Sequence, residues 1–524
     1  MVKYYLIIFL SLNTVFLKAQ SVDANYMRQQ YSKKSYNIPM RDGIKLYTLV
    51  YTPKDTSKTY PILLNRSCYN ASSHDNFKTN GQPSDFLVKD QYILVYQDVR
   101  GRYMSEGKFT TLTPNIPGNN LKDTDAIDES SDTFDTVDWL INNLPNNNKK
   151  LGIFGISYPG FYTAAALPNA HPALKAASPQ APISDFFFDD FIHNGAYLLS
   201  YTAAFPVFGY QKSGLTKKPW YIKKLNRFWS RPTKDAYKFY LDLGPLKNIT
   251  KKYHYDNFFW NEMINHPNYD SFWQKRNILP HLKNINTAVM TVGGWYDAED
   301  LYGPLNIYKT IEENNPKAQN TIVMGPWAHG DWAREKGKHV HNHIYYGDSI
   351  STFYQKHLER QFFAHHLKDK DIKPLPEAYM YDTGVKKWET FDVWPPKNTT
   401  KVKLYFHKKG TLVINNPTAE NQVFEYISDP ANPVPYRSET EGLTFTPRKY
   451  MTDDQRHASK RKDVLTFTSE VLNNPISIAG EIKAYLKVAM TGTDADFVVK
   501  IIDQYPKDHV NYAHNSENIQ MGGY

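Results

Sequence analysis

Three residue types that together perform nucleophilic acyl transfer occur in one order along the chain: Ser157, Asp297 and His329. Each stands just past a short apolar run. Ser157 closes Lys150-Leu151-Gly152-Ile153-Phe154-Gly155-Ile156-Ser157, and a small-residue helical pattern follows (Thr163, Ala164, Ala165, Ala166, Leu167). A serine on a tight strand-to-helix turn is exposed as a nucleophile, and the helix start beyond it favours a developing negative charge. On this reading Ser157 attacks an acyl carbon. His329 takes its proton and returns it to the leaving group, while Asp297 orients and stabilises the imidazolium. Each residue also has an ordinary structural reading: a plain turn for Gly155-Ile156-Ser157, a helix N-cap for Asp297, a histidine packed near Trp327 and Trp332 for His329. Three such residues at strand ends in this order favour the catalytic reading.

Hydrophobic patterning predicts the elements that must hold them. Residues 36–61 read as a hairpin around Asp42-Gly43. The fully apolar runs at 61–66, 92–98 and 151–156 read as central strands, as do 174–179, 287–294 and 320–325. Helices are predicted around 135–140, after Ser157, over 305–311 and over 352–366. Strand, loop, helix and strand in alternation predict a mostly parallel, doubly wound sheet. With the order Ser, Asp, His, the fold class is α/β, an α/β-hydrolase core.

The stretch 183–283 is rich in Phe, Tyr, Trp and Lys and reads as irregular helices, a cap inserted over the site. From 378 onward the pattern is all β, with strand-like runs at 402–407, 476–490 and 495–505, so a C-terminal jelly-roll-like sandwich is expected. The expected organisation is therefore a signal over 1–19, core over 20–182, cap over 183–283, core over 284–370 and a β-domain over 371–524, with a charged linker at 368–371.

Composition narrows the function. At 524 residues the chain needs more than one core. Lys3, an apolar run from Tyr4 to Leu10 and Ala19 predict an export signal cleaved near Ala19, hence a secreted or periplasmic protein with no membrane attachment afterwards. The single cysteine, Cys68, excludes a disulfide framework and a cysteine zinc site. No metal and no cofactor is expected. The net charge of +9 is dispersed, and the cluster Lys217, Lys218, Lys223 and Lys224 reads as a solvated helical face, so no nucleic-acid partner is expected. The expected partner is a small-molecule ester or amide. A homo-oligomer is compatible with the sequence.

Several segments carry a family resemblance: Met40-Arg41-Asp42-Gly43, Tyr69-Asn70, Gln97-Asp98-Val99-Arg100-Gly101, Asp135-Thr136-Val137-Asp138-Trp139, Ser157-Tyr158-Pro159-Gly160, His171-Pro172-Ala173-Leu174-Lys175 and Gly325-Pro326-Trp327-Ala328-His329. To these are added Asp297-Ala298-Glu299-Asp300 and Asp189-Asp190. The chain resembles the CocE/NonD and X-Pro dipeptidyl-peptidase-like serine hydrolases, and within them the α-amino-acid ester hydrolases that act as β-lactam antibiotic acylases. The resemblance implies a triad of Ser157, Asp297 and His329, and an oxyanion hole from the Tyr69 hydroxyl and the Tyr158 backbone N–H. It also implies that Asp190 (or Asp189), Glu299 and Asp300 bind a substrate α-ammonium.

General esterases of the family need no such cluster, so a broad carboxylesterase or glutaryl-type acylase is the first alternative; an X-Pro dipeptidyl-peptidase, which would also use acids to bind an amino terminus, and an inactive hydrolase-like binding protein are the others. Two departures stand out. The similar hydrolases carry Glu where this chain has Pro159, which bears on the acyl pocket. Their C-terminal domain also continues further, so this chain is expected to stop inside its β-domain with an open sheet edge.

Overall fold

Apolar side chains on both faces of a strand call for helices on both faces of the sheet. The computed structural model describes residues 22–79, 82–116, 126–230, 233–334, 337–341, 344–368, 371–415, 422–441 and 450–506. The export signal expected over 1–19, the middle of the 368–371 linker and the residues from 507 on lie outside these. Ten strands form one sheet: β1 (Tyr31–Pro39), β2 (Lys45–Pro53), β3 (Tyr60–Ser67), β4 (Ile93–Asp98), β5 (Asn147–Ile156), β6 (Leu174–Gln180), β7 (Ala288–Gly294), β8 (Asn320–Gly325), β9 (Ala378–Asp382) and β10 (Lys387–Phe391). Their spatial order is β1-β2-β4-β3-β5-β6-β7-β8-β9-β10. The strands from β4 to β9 along this order are parallel, and β1, β2 and β10 pair antiparallel at the two edges. The buried run of β3, with all eight residues inside, is what a central strand requires.

Helices α1 (Glu129–Asn143), α2 (Tyr158–Ala165), α3 (Tyr302–Asn314) and α4 (Arg360–Leu367) lie among the crossovers. Asp128 starts α1 with a capping box to Ser131. The single helix expected over 352–366 is interrupted: a π-helical stretch, Tyr354–Glu359, runs into α4. It turns Gln355 toward the Trp332 carbonyl and Glu359 toward Gln180.

Three of the segments that carry the resemblance, around Arg41, Arg100 and Asp135, build the frame. Arg41 holds Asp135 on α1 through two nitrogens, and Arg100 clamps Asp42 and Asp132 at 2.7 Å each. Beneath them Arg66 on β3 is fully buried and donates to Glu129 at 2.9 Å, to Thr133 and to Gln97. Removing one partner of such a pair strands a buried charge. Arg66→Ala is therefore expected to cost about 3–5 kcal/mol. It should lower the apparent thermal midpoint by several degrees at a fixed scan rate. An unchanged midpoint would remove this network from the account of the fold.

The 183–283 insertion is helical, with helices such as Ile222–Trp229, Ala236–Leu243 and Phe258–Asn265. Its core is aromatic: Phe205 packs on Phe259 and Trp260, and Phe191 on Phe205. Lys217 pairs with Asp75 and Lys224 with Asp256, which offsets part of the basic cluster.

The region from 371 on differs in detail from expectation. β9 and β10 extend the main sheet, because β8 offers β9 a free parallel edge at Ile322–Met324. Beyond them, the described residues of the β-rich stretch show one hairpin, Tyr405–His407 with Thr411–Val413. The strand-like runs at 476–490 and 495–505 form no hydrogen-bonded ladder among the described residues, and Tyr485 and Val498 are 85% and 76% exposed. Period-2 apolar patterning marks what can be a strand. A ladder also needs a neighbour whose N–H and C=O groups pair with it.

Candidate active site

The site is built at the carboxyl ends of β5, β7 and β8, where open α/β sheets place their ligands. β5 enters α2 through Ser157, held at φ 68° and ψ −129°. A non-glycine residue in that region is strained and persists only where its surroundings fix it. Here they do. The Ser157 N–H donates to the Gln180 carbonyl at 2.9 Å, and the Ser157 carbonyl accepts from Gly160 and Phe161. A Cβ on Gly155 would lie 2.5 Å from the Pro159 backbone, and one on Gly160 would lie 2.6 Å from the Gln180 carbonyl oxygen. The turn closes only with glycine at both places. Pro159 sits in the first turn of α2, where its missing N–H costs nothing. Gln180 is itself held below the turn. Its side chain accepts from the Trp332 indole at 2.7 Å and donates to Glu359, whose carboxyl burial pushes up to about 7.

His329 follows β8 and Asp297 follows β7. The His329 ring Nδ1 is 2.9 Å from Asp297 Oδ2. The other oxygen of Asp297 accepts the backbone N–H groups of Glu299 and Asp300. The carboxylate is thus oriented from both sides; it closes a turn and caps no helix, since the helix that follows starts at Tyr302 with Leu301 at its N-cap. Burial raises the Asp297 carboxyl, but the His329 charge and these hydrogen bonds outweigh it and hold it below its usual value. Ser157 and His329 line one cavity of about 450 Å³, a size that takes a small organic substrate. Ser157 makes no side-chain hydrogen bond to the ring among the described residues, a contact that commonly tightens only with substrate bound.

Tyr69 and Tyr158, the two residues expected to receive an oxyanion, both line the cavity. The Tyr158 N–H is the first of α2 and has no acceptor among the described residues. Its phenol points away and accepts from Leu112 N–H at 2.6 Å. Tyr69 lines the cavity, 40% exposed, with its ring edge on Phe208. Asp98 sets the Tyr69 loop by accepting from Ala71 and Met104 N–H, which explains an acid at the end of β4.

The acids divide into two groups. Asp190 and Glu299 line the cavity, and the Asp190 N–H donates to the Glu299 carbonyl at 2.9 Å. Asp189, the alternative to Asp190, is committed elsewhere: it accepts from Ser184 N–H and hydroxyl and from Gly303 N–H, joining the cap to the start of α3. Asp300 is fully buried behind the cavity wall, and no N–H or O–H donor among the described residues reaches its oxygens. The carboxyl facing it is that of Asp190. Burial and the neighbouring acids push Asp190 and Asp300 well above the carboxylate range, and burial raises Glu299. Two carboxyls in one site stay together only with a proton or a cation between them.

Sequence reasoning did not find the rest of the wall. Phe191, Tyr201, Val207 and Phe208 of the cap form an apolar side, and Arg334 stands at the rim. Arg334 lies five positions after His329 and donates to its carbonyl. That proximity to a candidate base was the available signal. The cap residues carried none, since nothing local says which aromatics of a helical insertion face inward.

Residues 42–331 match the X-Pro dipeptidyl-peptidase (S15) family, and residues 370–523 match the X-Pro dipeptidyl-peptidase C-terminal non-catalytic domain. The chain is 25% identical over 509 residues to cocaine esterase from Rhodococcus sp. (strain MB1 Bresler), covering 93% of this chain and 82% of that protein. Its structure resembles that of an α-amino acid ester hydrolase, with TM-score 0.76 and 30% identity, covering 90% of this chain and 77% of the other. It also resembles an aminopeptidase from the marine sediment archaeon Thaumarchaeota archaeon, with TM-score 0.73 and 32% identity, covering 83% and 71%.

Proposed function

The chain belongs to the X-Pro dipeptidyl-peptidase (S15) family of serine hydrolases, and on that premise we propose that it cleaves esters and amides of α-amino acids bearing a free amino group. The observation that carries this reading is the placement of Asp190 and Glu299 in the wall of the cavity that contains Ser157 and His329. Ester hydrolysis alone needs no acid there. Buried carboxyls that repel one another are satisfied by a cation, and the α-ammonium of an amino acid is one that carries its acyl carbon with it. Fixing the ammonium would set that carbon against Ser157 Oγ. The apolar side formed by Phe191, Tyr201 and Phe208 suits an aromatic or aliphatic acyl side chain.

In the acylation step Ser157 Oγ bonds to the carbonyl carbon and its proton passes to His329 Nε2. The oxyanion is received by the Tyr158 N–H and the Tyr69 hydroxyl, and the leaving group departs with the His329 proton. Water repeats the sequence on the acyl-enzyme.

A hydrogen bond to a charged group contributes about 1.5–3 kcal/mol. Asp190→Asn is therefore expected to lower kcat/KM for phenylglycine methyl ester about 10- to 100-fold, while phenylacetate methyl ester changes little. Steady-state comparison of the two esters tests this. Equal losses on both would refute the ammonium site and favour a broad carboxylesterase.

A further inference from the structure

The His329 ring lies between carboxylates on both sides. Nδ1 is 2.9 Å from Asp297 Oδ2 and 3.9 Å from Asp300 Oδ2, and Nε2 is 3.8 Å from Glu299 Oε2. A carboxylate only accepts, and a neutral imidazole has one N–H for its two nitrogens. Nδ1 hydrogen-bonds Asp297, and Glu299 stands at ion-pair distance from Nε2, so negative charge beside both nitrogens favours an imidazolium, and an imidazolium cannot take the Ser157 proton. Burial opposes the ring's charge, yet Asp297, Glu299 and Asp190 outweigh burial and raise His329 to about 10. The remaining groups that face this cluster do not cancel it. Arg334 donates to the His329 carbonyl and offsets part of the Glu299 charge from the exposed rim. His193 of the cap faces the Glu299 backbone, and burial holds it below its usual value, uncharged.

We propose that this pocket holds one cation at a time, the His329 imidazolium when empty and the substrate α-ammonium when filled, so that the amine itself releases the base. The proposal rests on the ammonium reading above and adds its consequence for the reaction. When the ammonium pairs with Glu299 and Asp190, the imidazolium gives its Nε2 proton to solvent water. Neutral Nε2 then accepts the Oγ proton as Oγ bonds to the carbonyl carbon and the carbonyl π pair moves to oxygen. Collapse of that intermediate breaks the bond to the leaving group, which takes the proton back from Nε2. An ester without an amine leaves the imidazolium in place and reacts only through the deprotonated fraction. Glu299 thus determines specificity through the base as well as through contact.

The test is the pH dependence of kcat, which reports groups in the enzyme–substrate complex, whereas kcat/KM reports the free enzyme. The ascending limb of kcat for phenylacetate methyl ester is expected at least about one pH unit above that for phenylglycine methyl ester. The limbs of kcat/KM, corrected for titration of the substrate amine, should coincide. Glu299→Gln should move the neutral ester's limb down and raise its kcat at pH 7 about five- to tenfold, since one unit is a factor of ten. The same variant should lose kcat/KM on the amino ester. Coincident kcat limbs in the wild-type enzyme overturn the proposal. If Glu299→Gln then impairs only the amino ester, the ammonium site survives; if it impairs both equally, that reading falls too. Fluorophosphonate labelling checks that the variant is folded, and if it is not, the wild-type limbs alone decide.

Discussion

Ser157→Ala is expected to abolish ester hydrolysis, with a loss in kcat on the order of 10⁴–10⁶, and to abolish covalent labelling by a fluorophosphonate. The size follows from what the serine does and from how it is held. Ser157 lines the cavity while the Tyr158 phenol beside it is turned to Leu112, and the strained backbone there is fixed by Gln180 and by two glycines that admit no Cβ. Alanine keeps the Cβ and the same φ and ψ, so the turn, the Tyr158 N–H and the cavity should persist. Binding of an amino ester should therefore survive the loss of turnover. Labelling that persists in the variant would sink the nucleophile assignment, and with it the acyl-enzyme.

Asp297→Asn carries the second large effect, a fall in kcat of about 10⁴ at neutral pH. The carboxylate is fixed by two backbone N–H groups on one oxygen and by the His329 ring on the other. Asparagine preserves the shape but can offer an amide N–H to Nδ1, which puts the ring proton on Nε2, where the base must be empty. The discriminating control is Asp300→Asn. Asp300 is 3.9 Å from the same ring nitrogen, beyond hydrogen-bond reach, so its loss should be far smaller. Comparable losses in single-turnover acylation by the two variants would mean that Asp300 shares the orienting role.

The two acids also show how far the chain could be read unaided. Asp297, Glu299 and Asp300 are neighbours in sequence, and adjacency put all three near the site. Adjacency could not sort them. The backbone after β7 turns Asp297 to the imidazole, Glu299 to the cavity and Asp300 into the protein. Asp190 reaches Glu299 only because the cap folds back, and its neighbour Asp189 faces Ser184 and Gly303 instead. The shared motifs divided in a similar way. Arg41, Arg100 and Asp135 lie in segments that carry the resemblance, and with Asp42 and Asp132 they form ion pairs that brace α1 against the sheet.

What the sequence determined by itself was local or periodic. Fully apolar runs marked the central strands, Gly155-Ile156-Ser157 marked a strand-to-helix turn, and the order Ser157, Asp297, His329 pointed to acyl transfer. What only the tertiary structure decided was which distant groups meet. It placed β9 and β10 on the main sheet, aimed the cap aromatics into the cavity and set Glu299 beside the imidazole. Among the described residues, the runs at 476–490 and 495–505 form no ladder. The physical reason is common to all of these. A side chain's period says which face it prefers, whereas its charge, its pairing and its chemistry depend on what the fold brings against that face.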